Sequence, residues 1–195
     1  MMLHPATVHF AMVLPLVALV FGLIYLVKRD EAMSKLSSRI TVVAAIAMGI
    51  AWYTGSQAGP EVYDYLSEAG QKELMEHKSL GLYLAIAMGV IALLKFLGCQ
   101  LKSFMLEALA VLLLFGATAV TFAQGKDGGE IVYNYGMPFK SYMIEDSLYE
   151  AQAEAEEAEE DSEKLEIYED VIDDVKMISE DVDTIYGNEK KESNE

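Results

Sequence analysis

Apolar residues form four long, almost uninterrupted stretches in the first two thirds of the chain. They cover Val8 to Val27, Ile40 to Thr54, Leu80 to Leu97 and Phe104 to Ala123. A transmembrane helix needs about 20 mostly apolar residues, with about 17 as the lower limit. The first, third and fourth stretches reach this length alone, and the second reaches it with its flanking residues. The pattern therefore predicts four transmembrane helices.

The pattern changes from Glu145 onward, where charged residues dominate and most of them are Asp or Glu. The segment "AQAEAEEAEED" is rich in helix formers, and apolar residues recur after it at spacings of three, four or seven. These residues are Leu165, Tyr168, Ile172, Val175, Val182 and Tyr186. Such a stripe is typical of an amphipathic helix that packs against a partner chain or a copy of itself. The sequence predicts an acidic, mostly helical tail outside the membrane.

The predicted fold is all-α: a four-helix transmembrane bundle over residues 1–137, followed by an acidic, helical or coiled tail over 138–195. Composition agrees, because 53% of the residues are hydrophobic while 31 Asp and Glu stand against 14 Lys and Arg. The negative charge lies mainly in the tail, which excludes nucleic acid and anionic lipid surfaces as partners of the tail. The expected partners are the lipid bilayer and another protein.

Two connecting segments carry weaker patterns. "PEVYDYLSEAGQKELMEH", between the second and third stretches, predicts a short amphipathic helix, or two broken at Gly70, lying over the outer end of the bundle. "EIVYNY", after the fourth stretch, is rich in residues that favour strands and predicts a brief extended segment.

Basic residues are distributed unequally between the two ends of the predicted helices. Six flank the first and third connections: Lys28, Arg29, Lys35, Arg39, Lys95 and Lys102. The second connection has only Lys72 and Lys78. By the positive-inside rule, the protein is expected to span a bacterial inner membrane several times, with both termini in the periplasm. The residues before the first stretch lack the basic region of a signal peptide, which favours a span there.

A weak internal repeat relates the first and third stretches. When His9 is aligned with His77, each histidine is followed by an apolar run of similar length and then by a lysine. This alignment predicts that His9 and His77 lie at the same depth near the outer end. Small residues at four-residue spacing predict close approach of the second and third helices, namely Ala45 and Gly49 in the second and Ala85 and Gly89 in the third.

The histidines allow two interpretations. In the first, His4 and His9 are interfacial residues that meet water and lipid headgroups. In the second, His9 and His77 are the axial ligands of a haem iron held between the first and third helices. Gly81 would then leave room for the flat macrocycle and Met12 would line it. His4 is an alternative ligand, although five residues on a helix turn it about 140° away from His9.

Other chemistry has less support. Zinc or copper at the outer surface, bound by the histidines with Glu76 or Asp127, matches no strong metal-binding spacing. No serine or cysteine pairs locally with a histidine, and no phosphate-binding or covalent haem motif is present. No catalytic residue is assigned, and the protein is expected to be non-catalytic. The single Cys99 cannot form an intrachain disulfide.

Four segments, "LHPATVHFAMVLPL", "TGSQAG", "EHKSLG" and "GGEIVYNYG", resemble the small predicted membrane proteins of the domain of unknown function 2231 family. The resemblance covers roughly residues 3 to 137. It implies a four-helix inner-membrane domain, often suggested to bind b-type haem, with His4, His9 and His77 as candidate ligands. Similar proteins often carry a histidine just before the glycine pair, where this chain has Asp127.

Two functions follow as hypotheses. The first is a non-catalytic electron-transfer or redox-complex subunit that binds b-type haem. The second is a haem-free structural or assembly subunit of a larger envelope complex, in which the histidines are only interfacial. An absorption spectrum distinguishes the two, since only the first predicts a haem band.

Overall fold

A computed structural model describes residues 3–63, 66–135 and 138–185, and these residues are helical with short connections. The elements are α1 (Leu3–Lys28), α2 (Glu31–Tyr63), α3 (Glu68–Gln100), α4 (Phe104–Glu130), a π-helix (Ile131–Tyr135), α5 (Pro138–Glu157) and α6 (Asp161–Ile185). Four helices, α1 to α4, are long and apolar enough to cross a membrane. The predicted all-α fold with four spans is confirmed.

The chain divides into two units, residues 1–129 and 130–195. In the first unit α1 packs on α2 and α2 on α3. Val111 of α4 lies against Gly22 of α1, and Glu107 of α4 lies against Gly98 of α3. Each helix therefore contacts the next around the bundle, and α4 closes it against α1. The sequence predicts the same antiparallel order from its short connections.

The two ends of this bundle differ. We call the end with the start of α1 and the finish of α4 the histidine end, because all three histidines lie there. The opposite end has the tight connections from α1 to α2 and from α3 to α4, and we call it the loop end. Arg29 and Lys102 adopt positive φ angles of 57° and 51° in these two connections, a conformation common just after a helix terminus.

The connection from α2 to α3 differs from the sequence prediction. α2 continues through Pro60 to Tyr63, and α3 begins at Glu68 with Ser67 as its N-cap. Pro60 lies in the last turn of α2, where it removes one backbone donor shortly before the helix ends. Gly70 is buried within α3. The predicted separate amphipathic helix is therefore wrong, since its residues extend the two spanning helices.

α2 packs on α3 as predicted, but the two glycines of the predicted contact take no part in it. A side chain added at Gly49 or Gly89 would meet nothing within 4 Å, so these glycines do not bring helices together. At Gly98 a Cβ would lie 2.8 Å from Glu107 Cγ, and at Gly22 it would lie 2.8 Å from Val111 Cγ2. α4 therefore comes close to both of its neighbours at these two glycines.

In the second unit α5 and α6 pack together as a helical hairpin. Ala151 and Ala155 of α5 are buried, as are Val171 and Ile178 of α6. The predicted helical tail is thus present, and the two buried alanines leave room for the larger side chains of α6. The predicted extended segment "EIVYNY" is wrong, since Ile131–Tyr135 is a π-helix.

The predicted stripe on α6 stays largely uncovered within the hairpin. Leu165, Tyr168 and Ile172 are exposed, and Val175 is half-buried. The side chain of Val182 and the whole of Tyr186 lie outside the described residues. α6 therefore carries two apolar faces, one against α5 and one facing away from it.

Candidate functional site

His4 is half-buried near the start of α1 and contacts α2. Its Nδ1 lies 3.3 Å from the Thr54 hydroxyl oxygen. The carbonyls of Ile50 and Ala51 lie 3.0 and 3.1 Å from the same hydroxyl. We infer that the Thr54 hydroxyl proton points to a carbonyl and that His4 Nδ1–H donates to Thr54. The His4 ring also hydrogen-bonds to the Ala51 backbone, so two groups of α2 hold it in place.

His77 lies on α3 at the same end of the bundle. Its ring packs against Gly128 of α4, where an added Cβ would be 3.0 Å from Cε1. Its Nδ1 is buried and has no hydrogen-bond partner. His4 and Asp127 both lie within electrostatic range of this imidazole. The structure thus brings His4 and His77 together.

Two further side chains surround this pair. Gln124 of α4 donates from Nε2 to the His77 carbonyl at 2.9 Å, while its Oε1 is buried without a partner. Trp52 of α2 also has a buried indole nitrogen without a partner. An unpaired buried polar group costs roughly 1–3 kcal/mol. We call His4, Trp52, His77 and Gln124 the histidine-end site, to which each spanning helix contributes one residue.

The other predicted site residues lie around this site. His9 is exposed, and its Nδ1 lies 2.6 Å from the Pro5 carbonyl on its own helix. The methyl group of Met12 packs against Gly125. The space beside Gly81 is filled, because an added Cβ would lie 3.0 Å from Gln124 Nε2 and 3.8 Å from Trp52 Cδ1. Glu76 is exposed and pairs with Lys72 on α3.

A second polar group lies near the loop end and was not predicted from the sequence. Lys95 of α3 and Glu107 of α4 form an ion pair with exposed side-chain fractions of 0% and 2%. The Ser34 hydroxyl of α2 donates to Glu107 Oε1 at 2.7 Å. Tyr25 of α1 interacts with the Glu107 carboxylate, and Lys95 Nζ lies 5.1 Å from its ring centroid. We call Tyr25, Ser34, Lys95 and Glu107 the loop-end cluster.

Exposed pairs cover this cluster at the loop end. Arg29 places its guanidinium 3.2 Å from the ring centroid of Phe104, a cation–π contact. Lys102 donates to Glu31 at 2.9 Å, and the hydrogen bond and charge of Glu31 raise the pKa of Lys102. These contacts connect both tight connections to the neighbouring helix ends.

An apolar layer separates the two polar groups. It contains the core residues Ala44, Met48, Leu84, Met88, Ile91, Val111 and Leu114. Buried hydroxyls adjoin the layer, but Thr118 and Thr121 donate to carbonyls of their own helix at 2.7 Å. Because those protons are already engaged, the described contacts form no continuous polar path between the two ends.

Sequence reasoning missed Lys95 and Glu107 because Lys95 was counted among the residues flanking a connection. The available signal was a single charge in each of two neighbouring apolar stretches, twelve positions apart across a tight connection. Opposite charges placed in this way on antiparallel helices lie at the same depth. Trp52 and Gln124 had no comparable signal, since aromatic and amide residues are common at helix ends in membranes.

Comparison with known proteins agrees with this architecture. The family profile described as "Predicted membrane protein (DUF2231)" matches residues 1–140. No curated protein and no solved structure matches the chain. The matched residues include all four spanning helices, the three histidines and the loop-end cluster. The chain belongs to the DUF2231 family of predicted membrane proteins.

Proposed function

We propose that this membrane protein is a non-catalytic electron-transfer or redox-complex subunit that binds b-type haem at the histidine-end site. The observation that carries the proposal is the buried, unpartnered Nδ1 of His77 in electrostatic range of His4. Imidazole nitrogens from two helices are a common axial ligand pair for haem in helical bundles. A bound haem would supply a reversible one-electron carrier at this end of the bundle.

The ring nitrogens of His4 and His77 are suitable ligands for a haem iron. The packing around them limits where a haem would bind. Thr54 and the Ala51 backbone orient the His4 ring, as the partners of metal-bound histidines generally do. The space beside Gly81, however, is filled by Gln124 and Trp52. Binding there requires the Gln124 side chain to turn away, which would also free the His77 carbonyl from its donor.

The geometry favours His4 over His9 as the partner of His77. The exposed His9 ring engages its Nδ1 with the Pro5 carbonyl, whereas the His4 ring is half-buried against α2. Axial ligation by His9, as expected from the repeat, stays a prediction that the following test also covers.

The test is a reduced-minus-oxidised absorption spectrum of the purified protein after reconstitution with haem. We expect an α-band that is lost in His4→Ala and in His77→Ala and kept in His9→Ala, the matched control at the same end. If His9→Ala abolishes the band and His4→Ala does not, the pairing with His4 is wrong. A colourless protein that takes up no haem contradicts the proposal and favours the haem-free assembly subunit.

We also propose that the loop end faces the cytoplasm of a bacterium and that the tail lies in the periplasm. Lys95 does not contribute to this orientation, because Glu107 neutralises it inside the bundle. Five exposed cations remain at the loop end, namely Lys28, Arg29, Lys35, Arg39 and Lys102, against Lys72, Lys78 and Lys126 at the histidine end. This distribution follows the positive-inside rule.

Cysteine labelling in spheroplasts tests the orientation. In a Cys99→Ala background, Ser162→Cys in α6 should react with a membrane-impermeant maleimide, and Leu101→Cys at the loop end should react only after permeabilisation. Both probe positions are exposed, so accessibility within the protein is matched. Reaction of Leu101→Cys in intact spheroplasts would reverse the proposed orientation.

The tail is proposed to dock a basic protein partner through the uncovered face of α6. Leu165, Tyr168 and Ile172 present adjacent apolar surface. Between residues 138 and 185 there are eighteen Asp and Glu but three Lys. A cleft of about 490 Å³ between α5 and α6 is lined by five of these carboxylates. Two copies of such a surface repel each other, which favours a partner of opposite charge.

Binding to a small basic c-type cytochrome, used as a probe, tests this docking. Leu165→Asp with Ile172→Asp should weaken binding at least tenfold, since burying each such side chain contributes about 1.5–3 kcal/mol. Met177→Asp, an exposed position on another side of α6, is the matched control and should have little effect. Equal loss in both variants, or a stripe-dependent dimer of the chain without the probe, contradicts the proposal.

A further inference from the structure

The exposed face of α2 near the loop end carries two cations, Lys35 and Arg39. Being four residues apart, they lie on the same side of the helix. The Lys35 ammonium is 3.7 Å from the Glu31 carboxylate, which also accepts a hydrogen bond from Lys102. Arg39 is exposed, and its guanidinium makes no ion pair or hydrogen bond within the described part of the chain. Arg39 is therefore a cation on a spanning helix without a partner among the described residues.

The depth of Arg39 follows from the contacts of its neighbour Ser37. The Ser37 hydroxyl donates to the Ala18 carbonyl at 2.9 Å, and an added Cβ at Gly22 would lie 3.1 Å from the same oxygen. Ser37 is thus level with this turn of α1, whose apolar run continues from Gly22 for about 7.5 Å to Val27. Arg39 lies about 3 Å further from the loop end than Ser37. Its Cα is therefore about 10 Å inside the apolar belt, the level spanned by the apolar run of α1.

The neighbouring helices place the edge of the apolar belt at the same level. The apolar run of α4 begins at Phe104, whose ring contacts the guanidinium of Arg29, just after the end of α1. In α2, by contrast, the apolar run begins only at Ile40, and its 15 residues fall short of the roughly 20 that a span requires. The residues of α2 just before Ile40, Arg39 among them, therefore lie at the depth of the hydrocarbon.

We propose that Lys35 and Arg39 bind the phosphate group of an anionic phospholipid whose acyl chains lie along the apolar face of α2. A charge at this depth is costly unless it reaches the headgroup layer or meets an anion, and a long arginine side chain can extend in this way. The planar guanidinium also matches two phosphate oxygens at once. The exposed residues that continue the same face, Val43, Ile46 and Ile50, present apolar surface to the acyl chains.

Charge favours this lipid over the other occupants of the face. The four apolar stretches contain one acid, Glu107, and it is buried against Lys95. A second copy of the bundle therefore offers no free carboxylate at the depth of Arg39. A zwitterionic headgroup would bring its own ammonium close to Lys35, whereas an anionic headgroup adds no positive charge there. Lipid binding at this face depends neither on haem nor on which side of the membrane the loop end faces.

Native mass spectrometry of the full chain in detergent, titrated with dioleoyl phosphatidylglycerol or dioleoyl phosphatidylcholine, tests this site. We expect the wild type to bind its first phosphatidylglycerol more tightly than its first phosphatidylcholine. Arg39→Gln should weaken phosphatidylglycerol binding on the order of tenfold, as expected for the loss of a charge-assisted pair. Arg39→Lys should weaken it less, because it keeps the charge but not the planar fork.

Lys28→Gln is the matched control, because Lys28 is an exposed loop-end cation just beyond the apolar belt and, among the described residues, has no ion pair. This variant should bind phosphatidylglycerol as the wild type does. Equal effects of Arg39→Gln and Lys28→Gln would reduce the binding to general attraction and overturn the site at Arg39. Equal wild-type affinities for the two lipids would overturn the anionic preference without the use of any variant.

Two further measurements distinguish the lipid from other occupants. Glycerol 1-phosphate supplies the headgroup chemistry without acyl chains, and we expect it to bind much more weakly than phosphatidylglycerol. Equally tight binding would show a site for free phosphate and overturn the lipid. The mass of the lipid-free protein reports self-association, and a dimer that Arg39→Gln dissociates would assign this face to a second copy instead.

Discussion

Replacing Lys95 alone by Met is expected to destabilise the membrane unit by roughly 3–5 kcal/mol at neutral pH. The variant leaves the Glu107 carboxyl buried without its counter-ion. A lone carboxylate in such surroundings takes up a proton, which costs about 1.4 kcal/mol for each unit by which the pH exceeds its ordinary range. Glu107→Gln has the converse effect, since it leaves the Lys95 ammonium unpaired.

The two single variants should respond to pH in opposite directions. In Lys95→Met the folded state holds a neutral acid while the unfolded state ionises, so stability falls as the pH rises. In Glu107→Gln the folded state holds a neutral amine while the unfolded state is protonated, so stability falls as the pH decreases. Unfolding by sodium dodecyl sulfate in mixed micelles at several pH values measures both slopes.

Lys95→Met with Glu107→Met is the control for this prediction. Removing both charges leaves an apolar pair of similar volume, so most of the loss in the single variants should be recovered. Losses that simply add in the double variant would show that the two residues do not act as a pair. Slopes of the same sign in the single variants would also contradict the prediction.

Gly98→Ala is expected to have the second largest effect. An added Cβ would lie 2.8 Å from Glu107 Cγ, 3.0 Å from its backbone nitrogen and 3.3 Å from the Leu106 carbonyl carbon. Two of these three atoms belong to the backbone of α4, so a change of rotamer cannot relieve the clash. α4 must move away from α3, at a cost of about 1–3 kcal/mol.

Gly89→Ala is the matched control, because Gly89 lies on the same helix and an added Cβ there would meet nothing within 4 Å. It should be neutral or slightly stabilising, since alanine favours a helix more than glycine does. Unfolding in mixed micelles compares the two variants directly. Equal effects at Gly98 and Gly89 would show that α3 and α4 do not approach as closely as described.

Much of the fold followed from the sequence because long apolar runs in a chain of this length have few alternatives to spanning helices. The four spans and the helical tail were predicted on this basis. The ends of α2 and α3 were not, because polar residues such as those in 60–63 and 68–77 continue a helix beyond the apolar run equally well. "EIVYNY" was predicted as extended from strand propensity, which local context readily overrides.

The site was less accessible to sequence reasoning, for two physical reasons. Which histidines meet depends on helix rotation, and the alignment of His9 with His77 fixed depth but not rotation. Small-residue spacing likewise indicated close helix contact at Gly49 and Gly89, where the structure has no atom within 4 Å of an added Cβ. Predicting the ion pair of Lys95 with Glu107 would have required pairing residues from two apolar stretches that were considered one at a time.

The apolar layer between the two ends also determines whether substitutions at one end change the effect of substitutions at the other on the free energy of unfolding. With Met88 and Leu114 fully buried between them, the histidine-end site and the loop-end cluster share no polar neighbour among the described contacts. Changes at well-separated sites without shared partners usually add within about 0.3–0.5 kcal/mol. The effects of substitutions at the two ends on the free energy of unfolding should therefore add, so each end can diverge in sequence without compensating changes at the other.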